Sequence, residues 1–148
     1  MQGKNVPDFD KTEYEKRLES IQSLMKKEHL PAILLNTEAE ILYFTGFRTL
    51  FWQSPTRPWF LVVPQTGMPI AIIPEIGFDL MSKCWIDDIR CWPAPRPSDD
   101  GISLLESVLS NYSQVGLLMG HETHVHMPLQ SFNLLTRKLK VEWCDATS

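Results

Sequence analysis

The chain has 148 residues, of which 43% are hydrophobic and 22% are charged, and its formal net charge is -4. This length and composition are typical of one globular domain that forms its core without disulfides or a structural metal. Because the net charge is negative and no stretch concentrates lysine and arginine, nucleic acid and anionic membranes are excluded as the main partners.

The first half of the chain is predicted to contain two helices, a buried strand and a hairpin. Residues 12–29 have apolar side chains at helical spacing, and Thr12 opens a capping box. Residues 32–35 form a continuous apolar run, as expected for a strand buried on both faces. A second capping box at Thr37 opens a short helix that Gly46 ends. Two further apolar runs, 59–63 and 70–73, are joined by turn residues and predict a hairpin.

The second half alternates helices with strands. Its predicted elements are helices at 75–83, at 99–112 and from Pro128 onward, and strands at 86–92, 115–119 and 141–143. Together with the hairpin, this order predicts an α/β domain in which a mixed β-sheet is flanked by helices on both faces. The side chains expected to be buried by the sheet are those of Ile33, Leu35, Leu61, Val63, Ile72, Leu117 and Met119.

The sequence predicts a cytoplasmic protein. The three cysteines, Cys84, Cys91 and Cys144, are an odd number without a C-x-x-C motif, as in reduced intracellular proteins. The amino-terminal stretch MQGKNVPDFDKTEYEKR lacks the apolar segment of a secretory signal. No apolar run approaches the roughly 18 residues that a membrane span needs.

One hexapeptide, HETHVH at 121–126, contains three of the four histidines and a carboxylate. These are the side chains of catalytic metal sites. A helical H-E-x-x-H site places its histidines at positions i and i+4, whereas His124 and His126 follow His121 by three and five positions. A glycine before the segment and a proline after it favour a loop. We therefore predict a surface loop without a catalytic metal, and adventitious metal affinity remains the alternative.

Other residue patterns do not predict catalysis by this chain. Asp87 and Asp88 are adjacent on a predicted strand, so their side chains point to opposite faces and do not converge as an acid–base pair must. Asp99 and Asp100 lie at a predicted helix start, where negative charge is favoured. No serine or cysteine stands in a nucleophile motif, and no glycine-rich phosphate-binding motif is present. We predict no catalytic residue and no metal ligand.

Three segments together resemble the amino-terminal domain of the creatinase, prolidase and aminopeptidase P family. They are EYEKRLESIQSLM at 13–25, PAILLNTEAEILYFTGF at 31–47 and RPWFLVVPQTGMPIAIIP at 57–74. In that family an amphipathic helix and a buried strand precede an N-x-x-Y-x-[TS]-G-[FY] stretch and a hairpin strand that follows an arginine. Residues 41–47 match the stretch, although Asn36 stands earlier than usual. An acidic residue often found near the end of the later buried strand is absent.

The resemblance covers 13–148 and implies one amino-terminal domain, 1–148, with the family's ribonuclease H-like fold. It also implies that a carboxy-terminal catalytic "pita-bread" domain is missing from this chain. We expect two divalent metal ions (Mn, Co or Zn) in that missing domain and no cofactor in this one. The parent protein is expected to be a homodimer that hydrolyses Xaa-Pro dipeptides or another small amide that carries a carboxylate.

The resemblance further implies a role for the loop before the hairpin. In related enzymes the corresponding loop reaches across the dimer and forms one wall of the partner's active site. Arg57 takes the place of an arginine that can pair with a substrate carboxylate through its planar fork of donors, with Phe51 and Trp52 nearby. The alternative is an exposed arginine beside packed aromatic side chains.

For the chain as a whole, the alternative is a stand-alone protein-interaction module with the same fold and no catalysis. The reading frame after Ser148 would distinguish the two, because the enzyme requires two Asp, a His and two Glu in the pita-bread pattern.

Overall fold

One six-stranded mixed sheet organises the chain in the computed structural model, which describes residues 7–148. Its strands are β1 (Ala32–Leu35), β2 (Phe60–Pro64), β3 (Ile70–Pro74), β4 (Asp88–Trp92), β5 (Gln114–Leu117) and β6 (Glu142–Asp145). Their order across the sheet is β4-β3-β2-β1-β5-β6. Strand β2 is antiparallel to β1 and β3, and all other neighbours are parallel. The predicted mixed sheet and its hairpin are therefore confirmed.

Helices cover both faces of this sheet. They are α1 (Lys11–Lys27), α2 (Glu38–Thr45), α3 (Phe78–Met81), α4 (Ile102–Leu109) and α5 (Leu129–Lys138). The first three pack on one face, where Leu18, Ile41 and Met81 meet the side chains of Ile33 and Leu61 and their neighbours. The last two pack on the opposite face. This arrangement buries the side chains of β1 and β2 and nearly all of those of β3 on both faces, as the continuous apolar runs predict.

Several predicted boundaries are wrong. Asp10 rather than Thr12 caps α1, since its carboxylate accepts a hydrogen bond from the Glu13 N–H at 3.1 Å. The predicted helix at 75–83 is a 3-10 turn followed by the single turn of α3, and α4 is shorter than predicted at both ends. Of the predicted core residues, Met119 is 49% exposed, because β5 ends at Leu117.

Two observations concern the ends of the chain and membranes. Residues 1–6, part of the stretch predicted not to be a secretory signal, lie outside the described residues. Between residues 7 and 148, no helix combines the length and the apolar character needed to cross a membrane.

The strand directions bring three loops to one edge of the sheet. Strands β1, β3, β4, β5 and β6 all end at this edge, called here the carboxyl edge, and β2 begins there. The loops at 47–59, 93–101 and 118–128 therefore adjoin it. In sheets of this kind, ligands bind beyond the carboxyl ends of the strands. The candidate site is accordingly sought among these loops.

Candidate functional site

Residues 47–59, called here the Arg57 loop, are held together by aromatic rings at the start, the middle and the end of the loop. The ring centroids of Phe47 and Trp59 lie 5.3 Å apart, and those of Trp52 and Trp59 lie 5.8 Å apart. All three rings are buried. Such aromatic pairs stabilise a structure by more than the burial of their apolar area alone would. The loop is therefore closed at its base and anchored at its centre.

A second loop supports the buried ring of Trp52. The imidazole of His126 packs against that ring edge to face, with centroids 5.6 Å apart and planes at 75°. The backbone of His126 is in turn held by the side chain of Asn36, which directly follows β1. The Asn36 Nδ2 donates to the His126 carbonyl at 2.9 Å, and the His126 N–H donates to Asn36 Oδ1 at 3.0 Å. Through these contacts the Arg57 loop is connected to the end of β1, one of the two central strands of the sheet.

Arg57 lies two residues before the aromatic anchor at Trp59 and is half-buried. Its guanidinium forms no hydrogen bond or ion pair with any residue from 7 to 148. Asp100, in the neighbouring loop, is near enough for the two charges to interact. Partial burial raises the pKa of the Asp100 carboxyl above its usual value, and the charge of Arg57 acts in the opposite direction. The donors of Arg57 thus remain available to an external acceptor.

The three predicted substrate-binding residues occupy different environments. Arg57 and Phe51 reach the surface, with Phe51 38% exposed, whereas Trp52 is only 7% exposed. Trp52 therefore supports the loop and does not present its ring to solvent. The substrate-binding role of these residues stays a prediction.

The histidine-rich segment at 121–126 does not gather its side chains around a common point. His121 and His124 are exposed, whereas the ring of His126 faces Trp52. Within residues 7–148, no three His, Cys, Asp or Glu side chains are placed so that they could hold a metal ion. The described residues therefore form no site for the two divalent ions, which the family resemblance assigns to a different domain.

Sequence reasoning missed Asn36 and His126 as a pair, because they are 90 positions apart. The one available signal was an asparagine directly after a buried strand, a position where a polar side chain needs partners. Exposed apolar side chains also adjoin the carboxyl edge. They belong to segments that start or end there and are Leu50, Phe51, Ile76, Phe78, Met119 and Leu129.

Comparisons with known proteins agree with this architecture. The family model of the creatinase/prolidase N-terminal domain matches residues 17–148. No curated protein sequence matches the chain. The structure of the creatinase/prolidase N-terminal domain of an X-Pro dipeptidase from Streptococcus pyogenes superposes with a TM-score of 0.69 at 16% identity, covering 89% of this chain and 94% of that one.

Two longer proteins contain the same fold. Dipeptidase PepE from Mycobacterium ulcerans matches with a TM-score of 0.70 at 20% identity, over 94% of this chain and 36% of that one. Prolidase from Thermococcus sibiricus matches with a TM-score of 0.71 at 17% identity, over 93% of this chain and 35% of that one. The chain therefore spans about a third of the length of these two proteins.

Proposed function

The chain belongs to the creatinase/prolidase N-terminal domain family, and we propose that it is the non-catalytic amino-terminal domain of an Xaa-Pro dipeptidase-like metallohydrolase. In this proposal the domain contributes to a dimer contact and forms one wall of the partner subunit's substrate pocket. The two divalent metal ions belong to the carboxy-terminal catalytic domain that the resemblance implies. This chain supplies binding and orientation, and the other domain supplies the chemistry.

The observation that carries the proposal is the state of Arg57. Its loop is packed at both ends and at its centre, yet its guanidinium has no hydrogen-bond partner among residues 7–148. A planar guanidinium matches a carboxylate through two parallel hydrogen bonds. Because the loop is already ordered, binding a carboxylate there costs little additional conformational entropy. A C-terminal proline or a similar small acid would present such a carboxylate.

The apolar side chains at the carboxyl edge support the dimer contact. Leu50 is 81% exposed and stands next to Phe51 in the Arg57 loop. Exposed apolar side chains that cluster in one region mark interaction surfaces. A partner subunit that covers this edge would bury them and would bring its own active site towards Arg57.

The test is made in the full-length protein with an Xaa-Pro dipeptide as substrate. Arg57→Ala removes a charge-assisted hydrogen bond worth about 1.5–3 kcal/mol, so kcat/KM should fall roughly ten- to a hundredfold. Arg57→Lys should be nearly as damaging, because an ammonium does not reproduce the fork of donors. Arg96→Ala, which removes an exposed arginine from the neighbouring loop, is the matched control.

Two outcomes decide between the alternatives for Arg57. The loss should disappear when the substrate is the dipeptide amide, which lacks the carboxylate. If Arg57→Ala stays within about twofold of the wild type on the free acid, Arg57 is a surface arginine without a role in substrate binding and the proposal fails.

The location of Arg57 in the partner's pocket is tested with hybrid dimers. One subunit carries Arg57→Ala, and the other keeps Arg57 but has an inactivated metal site. If Arg57 acts across the dimer, the hybrid regains activity, because the intact catalytic domain receives Arg57 from its partner. An inactive hybrid would place Arg57 in its own subunit's site.

A further inference from the structure

His126, at the end of the histidine-rich segment, contacts both Asn36 and the Arg57 loop. The proposed function does not depend on these contacts. Asn36 uses both ends of its carboxamide on one residue, donating to the His126 carbonyl and accepting from the His126 N–H. A backbone N–H can only donate and a carbonyl can only accept, so this orientation of the carboxamide is the one that satisfies all four groups.

The position of Asn36 is itself constrained. Its side chain is almost fully buried, at 2% exposure, and its backbone N–H donates to the Glu40 carboxylate at 3.0 Å. That carboxylate also closes the capping box of α2. Asn36 is thus fixed to both β1 and α2, and its two hydrogen bonds fix the backbone of His126 in turn.

The ring of His126 contacts the Arg57 loop through Trp52. Trp52 is buried although its neighbours Phe51 and Gln53 are exposed, and its ring packs against those of His126 and Trp59. Removing the imidazole would take away one of the two aromatic contacts that hold Trp52 in place. Because Trp52 is the central anchor of the loop, its loosening would reach Arg57.

We propose that Asn36 and His126 are positioning residues that couple the segment at 121–128 to the Arg57 loop. The coupling is a property of this chain and stands independently of any catalysis. Its consequence for substrate binding rests on the role proposed above for Arg57. In this assignment the histidine-rich segment supports the loop through its last residue, and its two exposed histidines take no part.

The coupling is measured by hydrogen–deuterium exchange of the 148-residue chain. Asn36→Ala removes both hydrogen bonds to the His126 backbone, so amide exchange at 48–58 should rise about tenfold or more. Exchange in β2 and β3 should stay at the wild-type rate. His126→Ala should give the same pattern, and His126→Phe, which keeps the ring contact, should restore slow exchange at 48–58. The exposed histidines provide matched controls, and His121→Ala and His124→Ala should change nothing in the loop.

Coupling is reciprocal, so Trp52→Ala should also speed exchange at 121–128. The proposal is overturned if Asn36→Ala and His126→Ala accelerate exchange only within 121–128 and leave 48–58 unchanged. Should Asn36→Ala fail to fold, the comparison of His126→Ala with His126→Phe decides in the same way.

The functional consequence is measured in the full-length enzyme. His126→Ala should lower kcat/KM for the dipeptide when Arg57 is present and should have no effect when Arg57 is already alanine. If the exchange experiment succeeds and His126→Ala leaves kcat/KM unchanged while Arg57→Ala lowers it, the two loops are coupled but the coupling plays no part in substrate binding. If Arg57→Ala has no effect either, the role proposed for Arg57 is wrong.

Discussion

Gly46, which ends α2 and precedes the Arg57 loop, allows a strict test of the packing around that loop. Its φ of +75° is a conformation that costs an L-residue about 1–2 kcal/mol. A Cβ at this position would also lie 2.5 Å from Tyr14 Oη and 3.0 Å from Tyr14 Cζ. Gly46→Ala therefore combines backbone strain with a steric clash.

Tyr14 cannot easily move aside. Its side chain is 1% exposed, its ring is stacked on Trp85 at 6.3 Å, and Phe9 packs against it edge-on at 6.2 Å. Overpacking such a site costs about 1–3 kcal/mol. Adding the backbone strain, Gly46→Ala should lower the free energy of unfolding by about 2–5 kcal/mol.

The assay is urea unfolding at 25 °C, with Gly67→Ala as the matched control. Gly67 also has a positive φ, +93°, but a Cβ there meets nothing within 4 Å. Its substitution should therefore cost the backbone strain alone, about 1–2 kcal/mol. Combining Gly46→Ala with Tyr14→Phe should recover part of the loss, because the nearest clashing atom is gone. Equal losses for the two glycine variants would refute the clash with Tyr14.

Two further predictions concern capping and a thiol. Thr37→Ala removes the capping box of α2 and should lower the free energy of unfolding by about 1 kcal/mol. Thr12→Ala should lower it by less than about 0.5 kcal/mol, because Asp10 caps α1. Equal losses for the two variants in urea unfolding would contradict this prediction. Burial raises the pKa of the Cys84 thiol from 9.0 to about 11, so the reactive thiolate is scarcer in the folded chain. At pH 8, iodoacetamide should label Cys84 roughly a hundredfold more slowly in the folded than in the unfolded chain. Labelling of the folded chain should accelerate as the pH rises towards 11. A folded-chain rate within tenfold of the unfolded rate would show that burial does not protect this thiol.

The elements that sequence could predict are those that nearby residues determine. The apolar run at 32–35 forms a strand because its side chains need burial on both faces. Thr37 and Gly46 define the ends of α2 through a capping box and a left-handed residue, and both devices act within four positions. These local signals agree with one another and with the tertiary structure.

Where two local signals competed, a contact outside the motif decided between them. Asp10 and Thr12 are both good N-cap residues. Capping at Asp10 places Phe9 before the cap and Tyr14 at the fourth helical position, and the two rings pack edge to face. This is the hydrophobic staple that accompanies N-caps. The same ring of Phe9 lies 4.5 Å from the Arg17 guanidinium carbon, which adds a cation–π contact.

Met119 shows how a strand end depends on a distant strand. The apolar run continues past Leu117, so the run alone predicts that β5 extends to Met119. The Met119 N–H instead donates to the carboxylate of Asp145, at 3.2 Å, where β6 ends. A side-chain acceptor from the neighbouring strand thus replaces the next ladder bond, and the Met119 side chain is left at the surface.

The support of the Arg57 loop lies beyond sequence pattern for a more general reason. Asn36 recognises the backbone of residue 126, and every residue type except proline would offer the same N–H and carbonyl. A motif in the side chains of the segment at 121–126 therefore carries no information about this contact. The segment suggested a metal site because it contains several side chains that can bind a metal, but the sequence does not show in which direction each side chain points. Here the ring of His126 is directed towards Trp52, so the residue that completed the apparent metal motif instead holds the loop that carries Arg57.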